Sequence, residues 1–127
     1  MSDNAPTLFE RMGGSETLTR IVHEMYRRVL ADESLGHFFE NVSMKKLQQM
    51  QFEFLASALD GPIRYTGAEL THIHRGRGIR GAHFAAFCGH FADAAQDAGV
   101  DPGTIDLALG RLAMYKDKIT GDTNVDG

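Results

Sequence analysis

The 127 residues amount to 14.0 kDa, room for one domain at the usual one per ~100–200 residues and none for a second. With 43% hydrophobic and 24% charged residues the composition is that of a soluble globular chain and excludes a disordered one. Thirteen basic against seventeen acidic side chains give a net charge of −4 and a pI near 5.8, which supplies no field for nucleic acid or anionic lipid.

The single cysteine, Cys88, excludes an internal disulfide and any multi-cysteine zinc or iron–sulfur site. No apolar run approaches the ~20 residues of a membrane-spanning helix. Met1 to Pro6 is short and polar, without the basic start and apolar core of a signal peptide. A cytoplasmic protein folded as a single domain over 1–127 is expected, with no nucleic-acid or membrane partner and with flexible ends at 1–6 and 120–127.

Apolar residues Leu18, Ile21, Val22, Met25 and Val29 recur at steps of three and four, the pattern of an amphipathic helix, with Ser15 as its expected N-cap and Gly13-Gly14 as a hinge before it. The next stripe, Met44, Leu47, Gln51, Phe54, Leu55 and Ala58, starts after Ser43, a good cap, and stops at Asp60-Gly61-Pro62. Gly61 to Arg80 is broken by four glycines and leaves space for about two helical turns, Ala68 to Arg75, carrying His72 and His74. A third stripe, Phe84, Phe87, Cys88, Phe91 and Ala95, ends at Gly99. The fourth, Ile105, Ala108, Leu109, Leu112 and Ile119, begins after Asp101-Pro102. Four long helices and no sheet are predicted, because no stretch alternates with period two.

Two polar residues fall on these inward faces. Gln51 interrupts its apolar stripe, and Tyr26 shares its face with Val22, Val29 and Leu30. Either alone is equally well read as a buried polar group satisfied by backbone; together they suggest the lining of a polar-tipped pocket. Imidazole is the commonest metal ligand, but His72 and His74, two apart, point to different sides of a helix and do not form the His-x-x-x-His zinc pair. For His23, His37, His83 and His90 a surface or core role is the default. The eight phenylalanines either fill a core or wall a flat apolar ligand, and composition does not separate the two. Cys88 on an apolar stripe reads as a small hydrophobe, no Gly-x-Ser-x-Gly elbow occurs, and Arg75-Gly76-Arg77-Gly78 lacks the spacing and lysine of a P-loop.

Taken in order, Leu8 to Gly14, the block YRRVLADESLGHFF from Tyr26 to Phe39, Tyr65-Thr66-Gly67, His74-Arg75-Gly76-Arg77-Gly78-Ile79 and His83-Phe84 resemble the truncated haemoglobins, most closely their group I or N-type branch. The resemblance runs from about Leu8 to Ile119. It implies an all-α truncated globin fold, a two-over-two helical sandwich around haem b, with a very short first helix. It implies that His74 is the proximal iron ligand, that Phe39 packs against the ring, and that Tyr26 and Gln51 hydrogen-bond dioxygen on the distal side. By the same resemblance Leu47 holds the position of the distal histidine of animal globins and Leu55 lies on a gas tunnel. Lys46, Tyr65 and Arg77 face the propionates, and Ile79 and Phe84 touch the haem.

The function so implied is binding of dioxygen, nitric oxide and carbon monoxide. Donors aimed at the outer oxygen slow its release, which favours nitric oxide dioxygenase or peroxidase-like turnover with an unidentified reductase. A store, transporter or gas sensor acting as a monomer is the other reading. Three departures matter, one of them Leu55 where some relatives carry the larger phenylalanine. Asp60-Gly61 stands where paired glycines are usual, and Met50 stands where some relatives carry a histidine that becomes a second iron ligand. Five-coordinate or water-bound iron is therefore expected, with Met50, or Tyr26 at high pH, as the alternative sixth ligand.

Overall fold

The computed structural model describes residues 5–65, 74 and 76–121. Six α-helices are found among them: α1 (Leu8–Arg11), α2 (Gly14–Ala31), α3 (Met44–Ala58), α4 (Gly81–Asp97), α5 (Pro102–Ala113) and α6 (Lys116–Thr120), with a 3₁₀ turn at Gly36–Phe39. No strand occurs among the described residues. The expected short helix Ala68–Arg75 lies outside them except for His74.

Local chemistry sets each helix end. Thr7 and Glu10 form a reciprocal box around α1: the Glu10 amide donates to Thr7 Oγ1 at 3.1 Å and the Thr7 amide to Glu10 Oε1 at 2.9 Å. Ser43 accepts the Lys46 amide at the start of α3, and Asp101 accepts the Thr104 amide and hydroxyl at the start of α5. Gly99, at φ 93°, takes the left-handed step after α4 while the Val100 amide reaches back to the Ala95 carbonyl.

Helix α3 ends in the same motif with Asp60 at the left-handed position, φ 68°. The Gly61 amide donates to the Ala56 carbonyl at 2.7 Å and the Asp60 amide to the Ser57 carbonyl at 3.2 Å. Asp60 is held there from outside: Arg111 of α5 donates to the Ala58 carbonyl at 3.0 Å and to Asp60 Oδ2 at 2.8 Å. A cation thus sits on the orphan carbonyls of a helix C-terminus, and α3 is pinned to α5 beneath the site. The Phe9 amide, donating to the Leu59 carbonyl at 2.8 Å, brings α1 to the same corner.

Helix α2 packs on α3 and on α4, and α4 packs on α5, so one helix pair lies over another. The core at their crossing is Leu18, Ile21, Val22, Met25 and Val29 from α2, Leu55 and Ala56 from α3, Phe91, Ala94 and Ala95 from α4, and Ala108 and Leu112 from α5, all buried. Each large aliphatic among them contributes about 1.5–3 kcal/mol by leaving water.

Three expectations are corrected. The N-cap of α2 is Gly13, at φ 106°, not Ser15, because Gly13 and Gly14 both reverse the chain immediately after α1; Ser15 lies inside the helix, its carbonyl accepting the Thr19 hydroxyl. Leu30 is exposed rather than inward, since it lies about 100° round the helix from Val29, past the edge of the buried arc. The fourth stripe is two helices. The chain turns at Met114 and Tyr115, and the seven-residue step from Leu112 to Ile119 preserves the helical phase, so periodicity could not show the break.

Candidate functional site

Between the two helix layers lies a cavity of about 360 Å³, within the range of small-molecule sites. Tyr26 enters it from α2, Phe38 and Phe39 from the 3₁₀ turn, and Lys46, Leu47, Met50, Gln51, Phe54 and Leu55 from α3. Tyr65, His74, Arg77 and Ile79 from the connection to α4 line it too, as do His83, Phe84, Phe87, Cys88 and Phe91 from α4 itself. Leu112 and Ile119 line it from the C-terminal helices. All ten residues singled out from the sequence, Tyr26, Phe39, Lys46, Leu47, Gln51, Tyr65, His74, Arg77, Ile79 and Phe84, are brought together on this one cavity.

Its polar centre is a side-chain pair. The Tyr26 hydroxyl donates to Gln51 Oε1 at 3.1 Å. Tyr26 is 2% exposed and wedged edge-on between the rings of Phe39 and Phe87, at centroid separations of 5.7 and 5.8 Å. Burial there pushes the phenol well above its ordinary range, because a phenolate would lose its water. The hydroxyl is therefore available as a donor at physiological pH. Cys88 is half-buried, and desolvation raises its thiol to about 11, so it is not a thiolate at neutral pH.

Three of the other histidines have structural contacts. His83 Nδ1 accepts the Arg80 amide at 2.9 Å and caps α4. The His37 ring lies over Phe38, with centroids 4.1 Å apart. His90 Nε2 meets Asp32 Oδ2 at 2.7 Å, fastening α4 to the end of α2. A larger open groove of about 860 Å³ between α2, α3 and the end of α4 is edged by the Arg27–Glu24–Arg28 ion-pair cluster and holds none of the ten residues.

The donor set matches haem. The described lining carries lysine, arginine and imidazole but no carboxylate, as a ligand bearing two carboxylates requires. The remaining wall is aromatic and aliphatic, and His74 reaches it from a different segment than the Tyr26–Gln51 pair. Sequence reasoning left Phe87, like the other phenylalanines, open between core and ligand wall and read Cys88 as a small hydrophobe, and both line the cavity. Their stripe with Phe84 and Phe91 was visible, but nothing in one sequence separates a wall of packed side chains from a wall of a cavity.

A sequence model of the bacterial-like globins matches residues 7–121. The chain belongs to that family. Within it, the chain is 44% identical over 117 residues to a group 1 truncated haemoglobin of Mycolicibacterium paratuberculosis, covering 91% of this chain and 86% of the relative. It is 34% identical to a group 1 truncated haemoglobin of Tetrahymena pyriformis over 80% of this chain and 84% of that one. The crystal structure of the ferric Tetrahymena pyriformis truncated haemoglobin superposes with a TM-score of 0.85 at 31% identity, covering 90% of this chain and 97% of that one. The 2/2 haemoglobin of Synechococcus, solved in the cyanomet state with covalently attached haem, gives 0.84 at 26% identity, over 91% and 99% of the two chains. This truncated globin thus has the two-over-two fold, binds haem b and shares the family's dioxygen binding. No described helix is long and apolar enough to cross a membrane.

Proposed function

We propose that this truncated globin holds haem through His74 and uses Tyr26 and Gln51 to retain dioxygen for reaction with nitric oxide, giving nitrate, with an external reductase returning the protein to its ferrous state. Bound haem supplies the iron at which diatomic gases bind and from which electrons pass to them. The observation that carries the reading is the Tyr26–Gln51 pair, two hydrogen-bonding side chains joined at 3.1 Å among the aromatic and aliphatic side chains Phe39, Leu47, Leu55 and Phe87.

The chemistry follows from their donor count. A tyrosine hydroxyl has one proton, and here it is given to Gln51 Oε1, so the amide of Gln51 keeps its two N–H donors for the cavity. At 3.1 Å the bond is longer than the usual 2.7–2.8 Å for O–H···O and is easily redirected. A ligand whose outer atom gains negative charge draws that proton toward itself, and Tyr26 and Gln51 then donate to it together. Charge-assisted bonds of this kind slow ligand escape, which suits chemistry on the bound gas better than carriage. Lys46, Tyr65 and Arg77 take the propionates, Phe39, Leu47, Ile79 and Phe84 form the apolar seat, and Leu55 lines the gas path. His74 would be the one protein ligand to the iron, and Met50, 38% exposed on the cavity lining, would not take the place of a gas there.

Mixing the oxygenated ferrous protein with nitric oxide, with a reductant supplied, tests the proposal. Rapid formation of nitrate sustained over many cycles, and slowed in Tyr26→Phe, is the expected outcome. A single slow turnover indifferent to Tyr26 points instead to a gas store or sensor.

A further inference from the structure

Tyr26, Tyr65 and Tyr115 are the chain's three tyrosines, and it has no tryptophan, so few side chains can carry an oxidising equivalent. They are arranged unequally. Tyr26 is sealed inside and bonded to Gln51, and its proton has no direct route to water. Tyr65 lines the same cavity, its amide fixed to Ser57 Oγ at 3.1 Å. Its ring meets Phe54 edge-on at 5.6 Å between centroids, and Phe54 in turn meets Tyr115 edge-on at 5.0 Å.

Phe54 is 6% exposed, whereas Tyr115 stands in the turn between α5 and α6, half-buried, beside Met114, which is 74% exposed. Three rings in series, with Phe54 touching both tyrosines, thus run from the cavity wall to the surface. Aromatic contacts at these separations couple electronically over distances that electrons tunnel readily.

We propose that Tyr115, reached through Phe54 and Tyr65, is a surface port through which this globin draws electrons from phenolic reductants too large to enter the cavity when it reduces hydrogen peroxide. The balance is complete with those two reactants. Hydrogen peroxide takes up two electrons and two protons, its O–O bond breaks, and two waters form. Each phenol gives one electron and one proton and leaves as a phenoxyl radical. Tyr115 passes through the same state: it loses an electron inward and its proton to solvent, then recovers a hydrogen atom from the reductant at the surface. The proposal rests on haem occupying the cavity and not on nitric oxide turnover.

The test uses the haem-loaded protein, with haem content fixed beforehand by absorbance. Hydrogen peroxide is added to wild type, Tyr65→Phe and Tyr115→Phe. Tyrosyl radical is followed by electron paramagnetic resonance and covalent dimer by dityrosine fluorescence. Oxidation of a phenol tethered to a large dextran is compared with that of free phenol. Wild type is expected to give radical, dimer and dextran-phenol oxidation. Tyr115→Phe, which keeps the ring contact on Phe54, is expected to lose all three while still oxidising free phenol, and Tyr65→Phe to weaken them. Radical and dimer persisting in Tyr115→Phe overturn the relay and leave the haem reading standing. Absence of bound haem overturns both, and bound haem that does not consume peroxide overturns the port alone.

Discussion

Replacing Tyr26 by phenylalanine removes one oxygen atom from the centre of the cavity and tests the distal pair directly. Gln51 Oε1 accepts the Tyr26 hydroxyl at 3.1 Å, and with Tyr26 2% exposed water does not readily replace it. Leaving that acceptor unpaired costs about 1–2 kcal/mol of apoprotein stability. The effect on ligand binding is larger in consequence. A hydrogen bond to a charged partner is worth about 1.5–3 kcal/mol, and each ~1.4 kcal/mol is tenfold, so dioxygen is expected to leave Tyr26→Phe ~10–100 times faster than wild type. Carbon monoxide, which develops little charge, changes far less. Stopped-flow displacement of dioxygen by carbon monoxide gives the rate, and the double variant with Gln51→Leu shows whether the two donors act as one unit. A dissociation rate within ~3-fold of wild type, less than about 0.7 kcal/mol, refutes the distal role assigned to Tyr26.

Other consequences follow from particular contacts. Gly61→Ala places a methyl 2.8 Å from the Ala56 carbonyl oxygen and 2.9 Å from the Phe9 ring, and a loss of about 1–3 kcal/mol is expected in chemical denaturation; an unchanged midpoint contradicts the tight corner. The Asp32 carboxyl is held down to about 2 by its bond to His90 and then by Ser34. A carboxyl lower in the folded than in the unfolded chain stabilises fully above its unfolded value of 3.8 and loses that contribution as pH falls toward 2, so Asp32→Asn should flatten acid unfolding over that window. Cys88, raised to about 11 and lining the cavity, should alkylate slowly at neutral pH and more slowly still with haem bound; equal rates in apo- and holoprotein remove it from the haem wall. Leu55→Phe should slow ligand entry if Leu55, 1% exposed on the cavity, lines the gas path, and unchanged entry rates dismiss that role.

Periodicity revealed the helices because their buried stripes follow the 3.6-residue turn, and the polar breaks in those stripes marked Tyr26 and Gln51. What periodicity could not register were features without a phase. The turn at Met114–Tyr115 preserves the helical phase, the Asp60 cap depends on Arg111 from another helix, and the His90–Asp32 bond joins residues 58 apart in the chain. His74 alone is an unremarkable histidine. Its significance came from the ordered resemblance and then from the cavity it shares with nine other residues. The aromatic path from Tyr65 to Tyr115 likewise exists only in three dimensions, since Phe54 and Tyr115 read as ordinary members of two helices.

The central claim is that His74 holds haem in this cavity with the opposite side open to a gas, and the absorption spectrum of the reduced, ligand-free protein tests it most directly. A single broad visible band in the wild type, with bound haem lost in His74→Ala, is the predicted result. Two sharp visible bands in the wild type, showing iron with a second internal ligand such as Met50, or haem retained unchanged in His74→Ala, would contradict it.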